Sequence, residues 1–302
     1  MTTRPTSTHL AAEIATQPQD WLRAADIADR HAAVLPRPGE RVAVIGCGTS
    51  LYMAQAYAGL REAAGQGVTD AWPASEHHLD RGYDRVLTIS RSGTTTEVIE
   101  VLEQLRGATP ATVVTATPGS PVLDLADPIL MPEVDEQSVV QTRFATGTLA
   151  LLRSHLGEDL TQASRQAQDL LDAEQSVVGP AATAEQLTFV GRGWTNGLAN
   201  EAALKLRESA QFWTESYPMT EYRHGPISIS APGRVVWAFG APVAGLADDV
   251  AATGAHFETT DVDPMADLVR IHRLCLVKAE AAGLNPDEPR NLTRSIILGP
   301  QG

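Results

Sequence analysis

Two stretches 145 residues apart, "VIGCGTSLYMA" (44–54) and "FVGRGWTNGLA" (189–199), follow one plan. In each, apolar β-rich residues run into Gly-x-Gly, polar residues follow, and an alanine-rich helical segment begins. Gly46 and Gly48 match Gly191 and Gly193, and Ala54 matches Ala199. A strand that turns tightly on glycine into a helix opens a βαβ unit, which forces parallel pairing and helices over the sheet. The alternation continues around both copies. "YDRVLTIS" (83–90) reads as a strand, "TTTEVIEVLEQLRG" (94–107) as its helix, and "ATVVTATPGSP" (111–121) as a strand with a Pro/Gly turn. In the second copy "RVVWAFG" (234–240) and "AHFETT" (255–260) are strands, followed by a helix near 264–283. Residues 9–34 read as a helix broken near Pro18, and a long helix from about 138 to 175 closes the first copy. The expectation is an α/β fold of two tandem doubly wound parallel-sheet domains, 1–178 and 179–302, without a Ser/Gly-rich linker.

Charge and cysteine content narrow the function. A net charge of −14 argues against broad contact with nucleic acid or an acidic membrane, both of which call for a basic surface. No run of about 18 apolar residues suggests a membrane span, and the N-terminus lacks the basic and apolar regions of a signal peptide. Cys47 and Cys275 are the only cysteines, so neither a disulfide framework nor a zinc cluster is expected, and a cytoplasmic setting fits. Of 23 basic residues only Lys205 and Lys278 are lysines, which draws attention to where a compact point charge is used.

The segment "TISRSGTTTEV" (88–98) places Ser90, Ser92, Thr94, Thr95 and Thr96 where a parallel strand ends and a helix starts. The first helical turn leaves backbone N–H groups unpaired and partly positive, so added hydroxyls make a nest for a phosphate or carboxylate. Gly93 lets the backbone approach, and Thr49 and Ser50 offer hydroxyls from the neighbouring strand end. The plainer alternative is a capping box from Thr94 to Glu97. A dinucleotide fingerprint fails in both copies, because Leu51 and Asn196 hold the third glycine position, and no Gly-Lys-Ser/Thr phosphate loop exists. No nicotinamide, ATP or other cofactor is expected. The pair His77–His78 has no partner at metal-ligand spacing and reads as surface. In "ANEAALKLRESAQFWTESYPMTEYRHGP" (199–226), Glu201, Lys205 and Glu208 fall at i, i+4 and i+7 on one helical face, either as an exposed ion pair or as a reactive cluster. His224 precedes Gly225–Pro226 in a loop nearby.

These motifs together resemble the sugar isomerase (SIS) family, especially the isomerase half of glucosamine-6-phosphate synthase and stand-alone SIS-type deaminases. The likeness runs through "EIATQP" (13–18), "CGTS" (47–50), "ASE" (74–76), "SRSGTTTE" (90–97), "EQSVVQTR" (136–143), "EAALKLRE" (201–208), "HGP" (224–226) and "DEPRNLTRS" (287–295). It implies two tandem SIS domains. It also implies that Ser50, Ser90, Arg91 (through its amide), Ser92 and Thr95 surround a sugar phosphate, while Thr49, Val139 and Gln141 face the sugar. Glu208 matches the family's base at C2, His224 its ring-opening group and Lys205 the helical lysine. The family lends the histidine from a neighbouring subunit, so a homodimer with a shared site is implied.

Three departures shape the functional expectation. No glutaminase domain precedes the SIS pair, so the chain is not expected to draw ammonia from glutamine by itself. Arg294 stands where the synthase has a tail lysine, and a guanidinium does not form a Schiff base. "SRSGTT" replaces "SQSGET". The expectation is therefore a deaminating isomerisation of glucosamine 6-phosphate to fructose 6-phosphate and ammonia. A dehydratase (lyase) eliminating the C3 hydroxyl of N-acetylglucosamine 6-phosphate is an alternative, and a non-catalytic sugar-phosphate sensor is another.

Overall fold

The computed structural model of the chain describes residues 8–299. In chain order the elements begin with α1 (His9–Ile14), α2 (Gln17–Arg30), β1 (Val42–Gly46), α3 (Thr49–Ala63), β2 (Thr69–Pro73), β3 (Arg85–Ile89), α4 (Thr96–Leu105), β4 (Ala111–Thr115) and β5 (Asp127–Leu130). They continue through α5 (Arg143–His155), α6 (Thr161–Asp172), β6 (Gln186–Gly191), α7 (Thr195–Ala210), β7 (Thr214–Pro218), β8 (Arg234–Phe239), α8 (Leu246–Ala252), β9 (His256–Glu258) and α9 (Pro264–Ala281). The α/β class is as expected, with all strand pairs parallel in two separate sheets. Among the described residues no helix is long and apolar enough to cross a membrane.

The first sheet has order β2-β1-β3-β4-β5. Its inner strands β1 and β3 are buried at every residue, which suits their Val/Ile/Leu content. Helix α4 lays Val98, Val101, Leu102 and Leu105 on Ala43, Ile45, Val86 and Val113, each side chain contributing about 1.5–3 kcal/mol by burial. Because β2 and β3 lie on opposite sides of β1, the strand order reverses at β1/β3, and a crevice opens at the carboxyl ends of those strands. The second sheet, β7-β6-β8-β9, repeats this reversal at β6/β8 with one strand fewer. There α8 contributes Leu246 and Val250 to a core with Val190, Val236 and Ala238.

The matched glycines do the same work in both copies. A Cβ on Gly46 would overlap the Ser50 carbonyl carbon and Leu51 nitrogen, and one on Gly191 would overlap the backbone of Thr195 and Asn196. In each case the strand end touches the first turn of the next helix, and only glycine fits.

Several expectations are corrected. The long helix over 138–175 is two helices, α5 and α6, parted where Gly157 takes φ +90° and Arg153 pairs with Glu158 at 2.8 Å. The early helix does break near Pro18, as expected, at Ala15–Thr16, and Pro18 sits in the first turn of α2, where its missing N–H costs nothing. Strands β2, β5 and β7 escaped the sequence reading. All three are sheet edges, each contains proline, and each is only partly buried.

The two compact units do not divide at 178/179. One consists of residues 20–135, 143–160 and the tail from 293, and holds the five-stranded sheet. The other takes residues up to 19, 136–142 and 161–292, and holds the four-stranded sheet. The sequence shows where strands and helices fall but not which distant segments they adopt. Thus the tail from Thr293 groups with the first sheet, while α1 and the loop 136–142 group with the second.

Candidate active site

In the five-stranded unit the segment after β3 leaves the sheet at the β1/β3 reversal. Ser90 N–H still bonds the Val114 carbonyl at 3.0 Å. The Arg91 carbonyl then accepts from Ala116 N–H and from the hydroxyls of Thr115 and Thr117, all at 3.1 Å, which pins the turn to the end of β4. Gly93 adopts φ +62°, and a Cβ there would collide with the Ser120 side chain. Thr49 and Ser50, at the start of α3, are buried, as are Ser90, Arg91 and Ser92.

The capping-box alternative is not realised. The cap of α4 is Thr95, it makes no side-chain cap bond, and Glu97 Oε2 is buried without a hydrogen-bond partner. Ser90 Oγ and Ser120 Oγ are likewise buried and unpartnered. The remaining hydroxyls gather on the last residue of "DEPRNLTRS", to which the motif itself gives no role. Ser295 Oγ lies 3.1 Å from Ser92 Oγ, 3.0 Å from Thr94 Oγ1 and 3.4 Å from Thr95 Oγ1. The tail is held alongside by Thr96 N–H to the Ile296 carbonyl (3.2 Å) and Leu298 N–H to Thr96 Oγ1 (2.9 Å). Arg91 joins in with its side chain as well as its backbone, donating from Nη2 to the Arg294 carbonyl at 3.3 Å. The Arg294 guanidinium pairs with Asp135 and reaches Thr117 Oγ1 at 3.4 Å.

In the four-stranded unit α7 starts at the Gly191 turn and carries the expected triad, but not on an exposed face. Glu201 is 0% and Lys205 1% exposed, and Glu208 is half-buried at 19%. Lys205 Nζ lies 2.5 Å from Glu208 Oε2 and 3.5 Å from Glu201 Oε1. Burial, the largest influence on the ammonium, would lower its pKa; Glu201, Glu208 and then Glu136 together raise it overall, so Lys205 stays charged. A fixed cation beside a partly accessible carboxylate can stabilise oxyanion charge while the carboxylate exchanges a proton.

Val139 and Gln141 lie in the 136–142 loop of this same unit, and Gln141 Oε1 is buried without a partner. His224 is also in this unit, exposed, just after the 3₁₀ turn Glu221–Arg223. No contact brings its side chain to Lys205 or Glu208 among the described residues. Glu136, which opens "EQSVVQTR", is a member of the cluster that the sequence reading quoted but left without a role; its signal was an acidic residue beginning a motif. Among the described residues no group of His, Cys, Asp and Glu could hold a metal ion.

A glutamine–fructose-6-phosphate aminotransferase (isomerizing) from Sulfolobus acidocaldarius is 27% identical over 313 residues, covering 90% of this chain and 52% of that protein. A glucosamine-6-phosphate deaminase from Thermotoga maritima superimposes with TM-score 0.77 at 22% identity, covering 96% of this chain and 100% of its own. The chain is similar to SIS proteins in sequence and in fold. The C-terminal domain of glucosamine-fructose-6-phosphate aminotransferase from Francisella tularensis gives TM-score 0.79 at 19% identity, covering 96% of this chain and 100% of that one. The chain spans about half the length of the curated relatives it matches. No family model matches it.

Proposed function

We propose that the chain is a pair of tandem doubly wound SIS domains catalysing the deaminating isomerisation of glucosamine 6-phosphate to fructose 6-phosphate and ammonia. The observation that carries this reading is the buried Lys205, charged between Glu201 and Glu208, with Glu208 still reachable from solvent. Of the three charged side chains, Glu208 is the one that keeps access to solvent and so to a substrate. The similarity to a deaminase in fold and to isomerising aminotransferases in sequence supports the same chemistry.

In this mechanism the hydroxyls of Ser50, Ser90, Ser92 and Thr95 and the amide of Arg91 hold the phosphate, and Thr49, Val139 and Gln141 meet the sugar. Binding energy at this remote anion positions the reacting carbon. His224, lent by the second subunit of a homodimer, delivers a proton to the ring oxygen as the C1 aldehyde forms. Glu208 removes the C2 proton, giving an enolamine whose oxyanion character Lys205 stabilises. General-base help of this kind is worth about 10² to 10⁴ in rate. The C2 proton returns to C1 while an amine N–H proton passes to the C1 oxygen, the resulting C2 imine adds water, and ammonia leaves with the ketose.

The test is incubation with glucosamine 6-phosphate and, separately, with its N-acetyl counterpart, following free ammonia and ultraviolet absorbance. Ammonia from the free amine is expected, and Glu208→Gln should abolish its release while leaving phosphate binding intact. A conjugated chromophore from the N-acetyl sugar without ammonia from the amine would replace this reading with elimination. Full turnover by Glu208→Gln would remove the mechanism.

A further inference from the structure

The loop 136–142 is fastened almost amide by amide. Gln137 N–H and Ser138 N–H both donate to Glu13 Oε1, at 2.6 and 3.2 Å. Val139 N–H donates to the Asp287 carbonyl at 3.3 Å, and Val140 N–H to Ser138 Oγ at 3.2 Å. Thr142 gives its N–H (2.5 Å) and hydroxyl (3.3 Å) to Glu136 Oε1. The Asp287 carboxylate in turn accepts the amides of His9 (2.8 Å) and Leu10 (2.7 Å), which seats the helix that bears Glu13.

Glu13 is a costly way to hold a loop. It is 7% exposed and its Oε2 is buried without a hydrogen-bond partner. Burial above all, and then Glu136, push its pKa up, against the two backbone amides that lower it, and Asp287 adds a smaller upward push. A buried carboxylate with one idle oxygen is unfavourable unless its geometry is needed. What it fixes is the stretch bearing Glu136, whose charge acts on Lys205, and Gln141, whose Oε1 is buried and idle.

We propose that Glu13, seated by Asp287, is a positioning residue that holds loop 136–142 in register so that Glu136 and Gln141 keep their places for the sugar. This rests on the isomerase reading above. The glutamate reach is required, not its charge, because what is used is one acceptor oxygen under two converging N–H groups. Glu13→Gln keeps that oxygen and Glu13→Asp withdraws it by one methylene.

The experiment compares both variants and Glu13→Ala in the full chain by hydrogen exchange at the Gln137 and Ser138 amides, by kcat and KM with glucosamine 6-phosphate, and by inhibition with inorganic phosphate. Faster exchange at those amides in the Asp and Ala variants is expected, with kcat/KM lowered about 10- to 100-fold by the misplaced loop. The Gln variant should restore both, and phosphate inhibition should stay unchanged throughout. Should Glu13→Ala not fold, Glu13→Asp still decides. Equal damage in the Gln and Asp variants, or unchanged exchange at both amides in the Asp variant, overturns the proposal. If the wild-type chain fails to turn the sugar over, the isomerase reading falls, and the exchange comparison alone then upholds or overturns the clamp.

Discussion

Replacing Lys205 by Met tests the electrostatics of α7 directly. At 3.5 Å, the attraction between Lys205 and Glu201 is about 5 kcal/mol for an effective dielectric constant of about 20. Desolvating the ammonium offsets part of this, and removing one member of such a buried pair usually costs about 3–5 kcal/mol, since the other charge is stranded. Glu201 is 0% exposed, so in Lys205→Met it should take up a proton instead of staying ionised. Its folded pKa then lies above its unfolded value of about 4.3. A carboxyl raised in this way contributes stability at low pH that is lost as pH rises through the folded pKa. The variant should therefore fall further behind wild type at pH 8 than at pH 5.5. The measurement is urea unfolding at both pH values, with Lys205→Met/Glu201→Gln as the control that recovers much of the loss. A gap below about 1 kcal/mol, the range of exposed pairs, would refute the reasoning. So would a gap that does not change with pH.

Two further outcomes concern Asp267 and Gly191. Asp267, buried beside Trp237 and Arg270, has its pKa raised by burial to about 6, so its contribution to stability is present below about pH 4 and lost as pH rises past 6; in urea unfolding between pH 4 and 7, Asp267→Asn should remove that part of the slope, and an unaltered slope would contradict the assignment. Gly191→Ala places a methyl against the first turn of α7 and should destabilise by about 1–3 kcal/mol, as overpacking does; a change under a few tenths in thermal unfolding would mean that strand and helix do not meet as described.

The sequence carried the inner architecture better than the rim. Strands β1, β3, β6 and β8 have dense Val/Ile/Phe runs and glycine turns, so their period and ends are visible without coordinates. The edge strands β2, β5 and β7 look like loops because half-exposed segments with Asp, Glu and Pro do not need an apolar run. At the site, Glu201, Lys205 and Glu208 were readable from helical spacing, but their burial was not: three charged residues on one face ordinarily point to water. Arg91 was assigned by its backbone, and its side-chain bond to the Arg294 carbonyl had no sequence signal. Ser295 and Glu13 were within quoted motifs, yet their partners lie roughly 200 and 124 positions away, beyond any local pattern.

The hydrogen bonds from the His9 and Leu10 amides to the Asp287 carboxylate close spans of 278 and 277 residues. The helix that carries buried Leu10 and Ile14 therefore lacks its Asp287 acceptors until nearly the whole unit has been made, although the Glu13 bonds to the 136–142 loop span less than half that distance. Closures of such span slow folding, so refolding of the four-stranded unit should end with the two ends of its sequence finding each other.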